Sequence, residues 1–160
     1  LTLWHPVQLF DADVDVTGLR LGGYGVNGEV AGLDLQIVNR TLDNQTGLQL
    51  GVYNAVDGQA SVLQFGVVNL VGEEMTGWQA GFFNRVQGEV FGLQTGPMNM
   101  SLSVMHGVQV GVINYAQDMT GLQIGVFNAA QVMYGVQIGL INVINDKESL
   151  SVLPILNAAF

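Results

Sequence analysis

One eight-residue motif, G-L-Q-x-G-x-x-N, recurs along almost the whole chain, and a tandem repeat this short leaves few ways to fold. Clear copies start at Gly47, Gly77, Gly92, Gly107, Gly121 and Gly135, and a copy at Val62 lacks its first glycine. Degenerate copies start at Gly18 (GLRLGGYG), Gly32 (GLDLQIVN) and Leu150 (LSVLPILN). Successive starts lie 14 or 15 residues apart. Residues 1–160 therefore read as a single repeat-array domain: an N-terminal strand over 1–13, repeats over 14–157 and a short end over 158–160. The columns carried by Gln49, Gly51, Asn54, Gln64, Gly66, Asn69, Gln79, Gly81, Asn84, Gln94, Gly96, Asn99, Gln109, Gly111, Asn114, Gln123, Gly125, Asn128, Gln137, Gly139 and Asn142 are structural positions of that array.

Within a unit the residues alternate with period two. In GLQIGVFN, Leu122, Ile124 and Val126 point one way, and Gly121, Gln123, Gly125 and Phe127 the other. Two glycines in eight residues, with β-branched and aromatic neighbours, disfavour a helix. Between units stand Asn27-Gly28, Asp57-Gly58, Gly72-Glu73, Gln87-Gly88 and Asn145-Asp146, which read as tight turns. The acids Glu29, Asp43, Asp57, Glu73, Glu74, Glu89, Asp118, Asp146 and Glu148 lie at or beside these joints, so the strand bodies are almost uncharged. The expected class is all-β.

Two architectures suit such a unit: an antiparallel up-and-down meander of about ten to twelve strands, or a β-solenoid with one coil per unit. Folding the chain about Gly72-Glu73 sets Gln64 opposite Gly81 and Gly66 opposite Gln79. Folding about Gln87-Gly88 sets Gln79 opposite Gly96 and Gly81 opposite Gln94. Large residues then face glycines, a size match that favours the meander. The turn signals occur once per unit, whereas a coil needs at least two corners, and this too favours the meander. So many strands close on themselves. The expected closed form is a barrel with its Leu/Ile/Val face toward lipid and Gly and Gln lining a lumen, as in outer-membrane barrels, many of which end in Phe as this chain does at Phe160. The solenoid, with amide ladders, is the alternative.

The array GLQxGxxN, opened by LWHPVQLF and closed by LPILNAAF, resembles a family of bacterial surface-repeat proteins with tandem units of this kind. The resemblance spans nearly the full chain and implies export and a cell-envelope location rather than an activity. A second likeness is to curli subunits, secreted amyloid proteins with a Q-x-G-x-x-N-x-A core. Gln123, Gly125, Asn128 and Ala130 match that core, and Gln49, Gly51 and Asn54 match it in part. In curli the G-x-x-N segment is a glycine-rich turn; here it is apolar (GVFN, GVVN, GFFN).

Composition removes most chemistries. The chain has no cysteine, which excludes disulfides, thiolate metal sites and cysteine nucleophiles. Its net charge of −9, with four Lys and Arg, argues against a nucleic-acid partner. No window of 18 apolar residues occurs, which excludes a helical membrane span but not a membrane barrel. The two histidines, His5 and His106, are a hundred residues apart, and neither a nucleophile elbow nor an H-E-x-x-H motif exists. No catalytic or cofactor-binding residue is assigned, and no cofactor is expected. The one candidate for a metal is Asp11, Asp13 and Asp15 (D-x-D-x-D), which lacks the glycine and closing Glu of a calcium loop and reads first as an acidic turn. Tyr24, Tyr53, Phe83 and Phe127 share one column and are expected to cover facing glycines. Arg20 and Asp34 replace Gln in neighbouring units and are expected to pair across strands. The chain starts at Leu1, consistent with removal of a signal peptide.

The resulting expectation is a non-enzymatic, exported bacterial envelope protein: an outer-membrane β-barrel with a structural or passive-pore role. The alternative is a self-assembling extracellular fibre subunit. The expected partners are outer-membrane lipid or further copies of the chain, as a homo-oligomer.

Overall fold

Each unit makes one full turn of a flattened coil, and the coils stack in parallel. The computed structural model describes residues 14–160 together with the strands Thr2–Trp4 and Val7–Gln8. A typical coil is seen at Gln45–Leu50, a long strand; Gly51-Val52, a corner; Tyr53–Val56, a short strand; and Asp57–Gln59, a second corner. The next long strand, Ala60–Phe65, then lies beside Gln45–Leu50, parallel and in register, with Gln49 opposite Gln64. The short strands do the same: Tyr53–Val56 pairs Val68–Val71 with Asn54 opposite Asn69. Equivalent motif positions stack along both faces, from Leu19 opposite Leu33 to Gln109 opposite Gln123. Where a coil has 14 residues, a residue is lost between Ala116 and Asp118 relative to Ser101–Val104 of its neighbour, and strand continues through the corners as Ile113–Ile144.

The fold is therefore the β-solenoid, and the antiparallel barrel is overturned. Gln64 faces Gln79, not Gly81, and the two sit in parallel strands. The turn signals misled because they mark only one of the two corners. The second corner is the glycine inside the motif itself, at Gly51-Val52, Gly66-Val67 and Gly81-Phe82. The barrel's lumen is absent too. Gln and Asn do point inward, and Leu, Ile and Val outward, as the alternation suggested. The inward space is filled, however, by the side chains of the coil itself.

Beside the amides lies a narrow apolar column. Met75, Val90, Met105 and Met119 stack on the long face, and Val56, Val71 and Val86 on the short face, where the buried Ser101 separates Val86 from Ala116. It is a small core for a chain this long, so backbone pairing and the amides carry much of the cohesion.

Two glycine columns make the stacking possible. A Cβ placed on Gly92, at φ +148°, would stand 2.0 Å from the carbonyl oxygen of Gly77 in the coil below. A Cβ on Gly81 would meet the Asn69 amide nitrogen at 2.5 Å. The last unit breaks both columns, with Leu150 and Pro154 where glycines should stand. The chain turns back there, and Val152–Ala159 pairs antiparallel with the last coil, Asn157 opposite Gln137. Leu150 (φ 55°) and Ile155 (φ 69°) adopt left-handed backbone in this reversal, unusual for non-glycine residues. At the other end Thr2–Trp4 lies along Val16–Asn27, Thr2 opposite Gly22. The two terminal segments thus pair with opposite ends of the stack and not with each other.

Gly92→Ala should destabilise the protein by more than about 2 kcal/mol, read as a lower urea midpoint, because strain and a backbone clash act together. Gly18→Ala, at the first coil, where a Cβ meets nothing within 4 Å, should cost clearly less.

Candidate functional site

Stacked in register, the motif's polar residues become two continuous ladders. Gln64 Nε2 donates to Gln49 Oε1 at 2.6 Å, and Gln79, Gln94, Gln109, Gln123 and Gln137 repeat the bond at 2.8–2.9 Å, each toward the N-terminal neighbour. The asparagines run the other way. Asn39 Nδ2 donates to Asn54 Oδ1 at 2.6 Å, and the series continues through Asn69, Asn84, Asn99, Asn114 and Asn128 to Asn142 at 2.8 Å. All of these side chains are buried.

The polarity of each ladder has a cause. An amide nitrogen carries two donors. The second Asn54 donor goes to the Phe65 carbonyl, and the second Asn69 donor to the Ala80 carbonyl, just before the corner glycine of the next coil. The second Gln109 and Gln123 donors go to the Tyr115 and Ala129 carbonyls. Each Asn thus closes the corner above it, and the corner glycine leaves the room it needs. This accounts for Q-x-G-x-x-N as a unit: two stacking amides and the gap between them.

The glutamine ladder ends on a charge. Gln49 Nε2 donates to Asp34 Oδ2 at 3.1 Å, and Arg20 Nε donates to Asp34 Oδ1 at 2.8 Å with a second bond from Nη2 to Oδ2. A carboxylate only accepts, so it suits the donor end of the series. Arg20 and Asp34 are 4% and 0% exposed, and the guanidinium also reaches Asn27 Oδ1 at 3.0 Å. The pair expected across neighbouring strands does form, inside a packed stack rather than a lumen. The asparagine ladder begins one coil later, because Gly25 occupies its column in the first coil. The Gln36 side chain, in a glycine column, fills the space an asparagine would have used; a Cβ on Gly25 would meet its Oε1 at 2.3 Å.

The outer surfaces divide sharply by charge. On the long face, Leu19, Leu33, Leu48, Leu63, Trp78, Leu93, Val108, Leu122 and Val136 form one outward column. Beside it run Leu21, Leu35, Leu50, Phe65, Ala80, Thr95, Val110, Ile124 and Ile138, and on the other side Thr17, Ala31, Thr46, Ser61, Thr76, Phe91, His106, Thr120 and Tyr134. None of these 27 positions is charged. Leu19 is 56% exposed and Leu63 46%. Some outer side chains pack on one another, as Phe65 does edge-on against Trp78 at 5.1 Å. The acids Asp43, Asp57, Glu73, Glu74 and Glu89 are exposed along the turn edge, as read from sequence.

Of the other sequence candidates, Asp11, Asp13 and His5 lie outside the described residues. Asp15 Oδ1 accepts the Glu29 backbone N–H at 2.9 Å, a bond between corresponding corners of adjacent coils. His106 is exposed on the long face, its ring stacked on Phe91 at 5.0 Å. Among the described residues no group of three His, Asp or Glu could hold a metal ion. Tyr24, Tyr53, Phe83 and Phe127 share one outer column of the short face with Val38, Val68, Met98 and Ile113, so they do not cover facing glycines. Arg40 projects from that face and donates to Asp57 Oδ2 at 2.9 Å; that hydrogen bond first, and the Asp57 charge second, raise its pKa above the usual arginine value. Comparison with protein-family models, with curated proteins and with solved structures gives no match.

Asp34→Gln should cost about 3–5 kcal/mol, since it leaves the buried Arg20 guanidinium without its carboxylate. Combining it with Arg20→Gln should restore most of that stability by extending the glutamine ladder. Urea unfolding of the two single variants and the double variant measures the difference as a coupling energy.

Proposed function

We propose that this chain is a non-enzymatic, exported bacterial envelope protein that works by self-assembly, as a solenoid subunit packing its long face against that of another copy. The supporting observation is the uncharged outer face that runs the length of the stack. Nine coils at about 4.8 Å each and six residues at about 3.3 Å give a face of roughly 850 Å², close to the ~800 Å² per partner of a standard interface. Aligned sheets pack face to face about 10 Å apart, a geometry that suits Leu, Val and Ile columns.

Charge argues for this face and against the others. The molecule carries −9, and its acids line the turn edge, so two copies repel through their edges and meet without charge cost on the long faces. Each end of the stack carries a further strand, Thr2–Trp4 at one, paired through Thr2 and Gly22, and the antiparallel Val152–Ala159 at the other. Lateral pairing is therefore favoured over end-to-end growth of the ladders. The resemblance to surface-repeat proteins and to curli subunits supports an extracellular setting for such an assembly.

Sedimentation of the purified protein without detergent should show dimers or larger species. Leu63→Glu together with Leu93→Glu should yield a monomer with an unchanged circular dichroism spectrum. A monomeric parent at high concentration, association that survives the double variant, or flotation with lipid vesicles in place of association would each overturn the proposal.

A further inference from the structure

The short face carries a groove that the assembly reading does not use. Along one outer column stand Arg40, Ala55, Leu70 and Arg85 in successive coils. Ala55 ends at its Cβ between longer neighbours, and the surface dips there. The result is a half-open groove of about 690 Å³, with Tyr53 and Leu70 among its apolar lining and Asp57, Glu73 and the two arginines among its polar lining.

The cations single this place out. The chain has four Lys and Arg against 13 acids. Arg20 is buried against Asp34, Arg40 is bonded to Asp57, and Lys147 Nζ donates to Asn157 Oδ1 at 2.9 Å and the Ala158 carbonyl at 3.0 Å. Arg85 alone of the four makes neither an ion pair nor a side-chain hydrogen bond among the described residues, and it opens on the groove. A guanidinium fork matches a carboxylate in a planar, two-bond geometry. An aromatic ring with a polar tip beside mixed donors and acceptors suits a ring that is apolar on its faces and hydroxylated at its rim.

We propose that this groove binds a carboxylated polysaccharide, with a uronate carboxylate on the Arg85 guanidinium and a pyranose face on Tyr53. Arg40 and Arg85 lie three coils apart, about 14 Å at the usual strand spacing. A pyranose unit is nearly as long as one coil is high, so a linear glycan laid along the stack keeps step with it. Asp57 stays on Arg40, and Glu73 accepts from sugar hydroxyls at the rim. Acidic polymers are repelled from the rest of the surface by the net charge, which confines binding to the groove.

The test is calorimetric titration of the full chain with tetragalacturonate, with maltotetraose as the uncharged arm. Tetragalacturonate should bind, weakening as salt rises, and maltotetraose should bind at least about tenfold less well. Arg85→Gln should lose about tenfold or more, and Ala55→Leu, which fills the dip, should lose binding too. Arg85 faces outward and Ala55 is buried at the groove floor, so melting temperature and circular dichroism serve as controls for folding. Absence of tetragalacturonate binding, equal binding of maltotetraose, or unchanged affinity in both variants would overturn the proposal. Because the groove and the uncharged long face lie on different faces, the oligomeric state of Arg85→Gln reports on assembly separately.

Discussion

A buried primary amide is costly unless its donors and acceptor are met, and that requirement governs this molecule, with Asn39 Oδ1 and Gln137 Oε1 at the open ends of the two ladders left without a partner. Fourteen side chains, seven Gln and seven Asn from Gln49 to Asn142, are fully buried in the stack. Leaving such a group unpaired costs about 1–3 kcal/mol each. The partner that satisfies a glutamine at both ends is another glutamine one strand spacing away, in a parallel strand and in register. The ladders therefore dictate direction, register and coil length together. A slip of one residue would break every rung at once. This explains how a stack with so slender an apolar core holds a single arrangement, although its outer face is rich in hydrophobic residues that could pack in other ways.

The same requirement explains how the stack stops. At the start, Gly25 interrupts the asparagine column, and the buried Arg20–Asp34 pair replaces the first two rungs of the glutamine column. At the finish, Leu150 and Pro154 occupy both glycine columns within one unit, whereas Gln36 and Val62 each occupy only one inside the stack. The reversal over Val152–Ala159 covers the last rungs and sets Asn157 beside Lys147. Capping of this kind separates an array of limited length from one that grows at its ends. It also directs attention to the sides of the rod, where an uncharged face, an acidic edge and an arginine-flanked groove run in parallel. Their separation follows from the stacking: a residue type repeated every 14 or 15 positions becomes a stripe.

Strand direction was not legible from the pairing arithmetic, for a definite reason. In G-L-Q-x-G the glutamine has a glycine two residues before it and two after it. An antiparallel fold sets Gln against Gly, and a parallel fold sets Gln against Gln; both give a self-consistent sheet on size alone. What separates them is the fate of the amide. Opposite glycine it would have needed water in a lumen, whereas opposite its own kind it closes a hydrogen bond out of water. The motif glycine also served two purposes. It read as a cross-strand partner and was in fact a corner that leaves room for the asparagine of the coil below. Arg20 and Asp34, by contrast, were readable as a pair, because opposite charges replaced the same residue in adjacent units.

By itself the chain determined the repeat, its length, the all-β character, the alternation that turns Gln inward and Leu outward, and the placement of acid at one set of turns. These are local properties, written in spacing and residue type. Only the tertiary structure decided that successive strands run the same way, that the interior is packed rather than open, and that Ala55, set between Arg40 and Leu70, forms a groove leading to Arg85. Those outcomes depend on which groups meet across coils, and a buried amide or an unpaired guanidinium acquires its meaning only from the neighbour that folding places beside it.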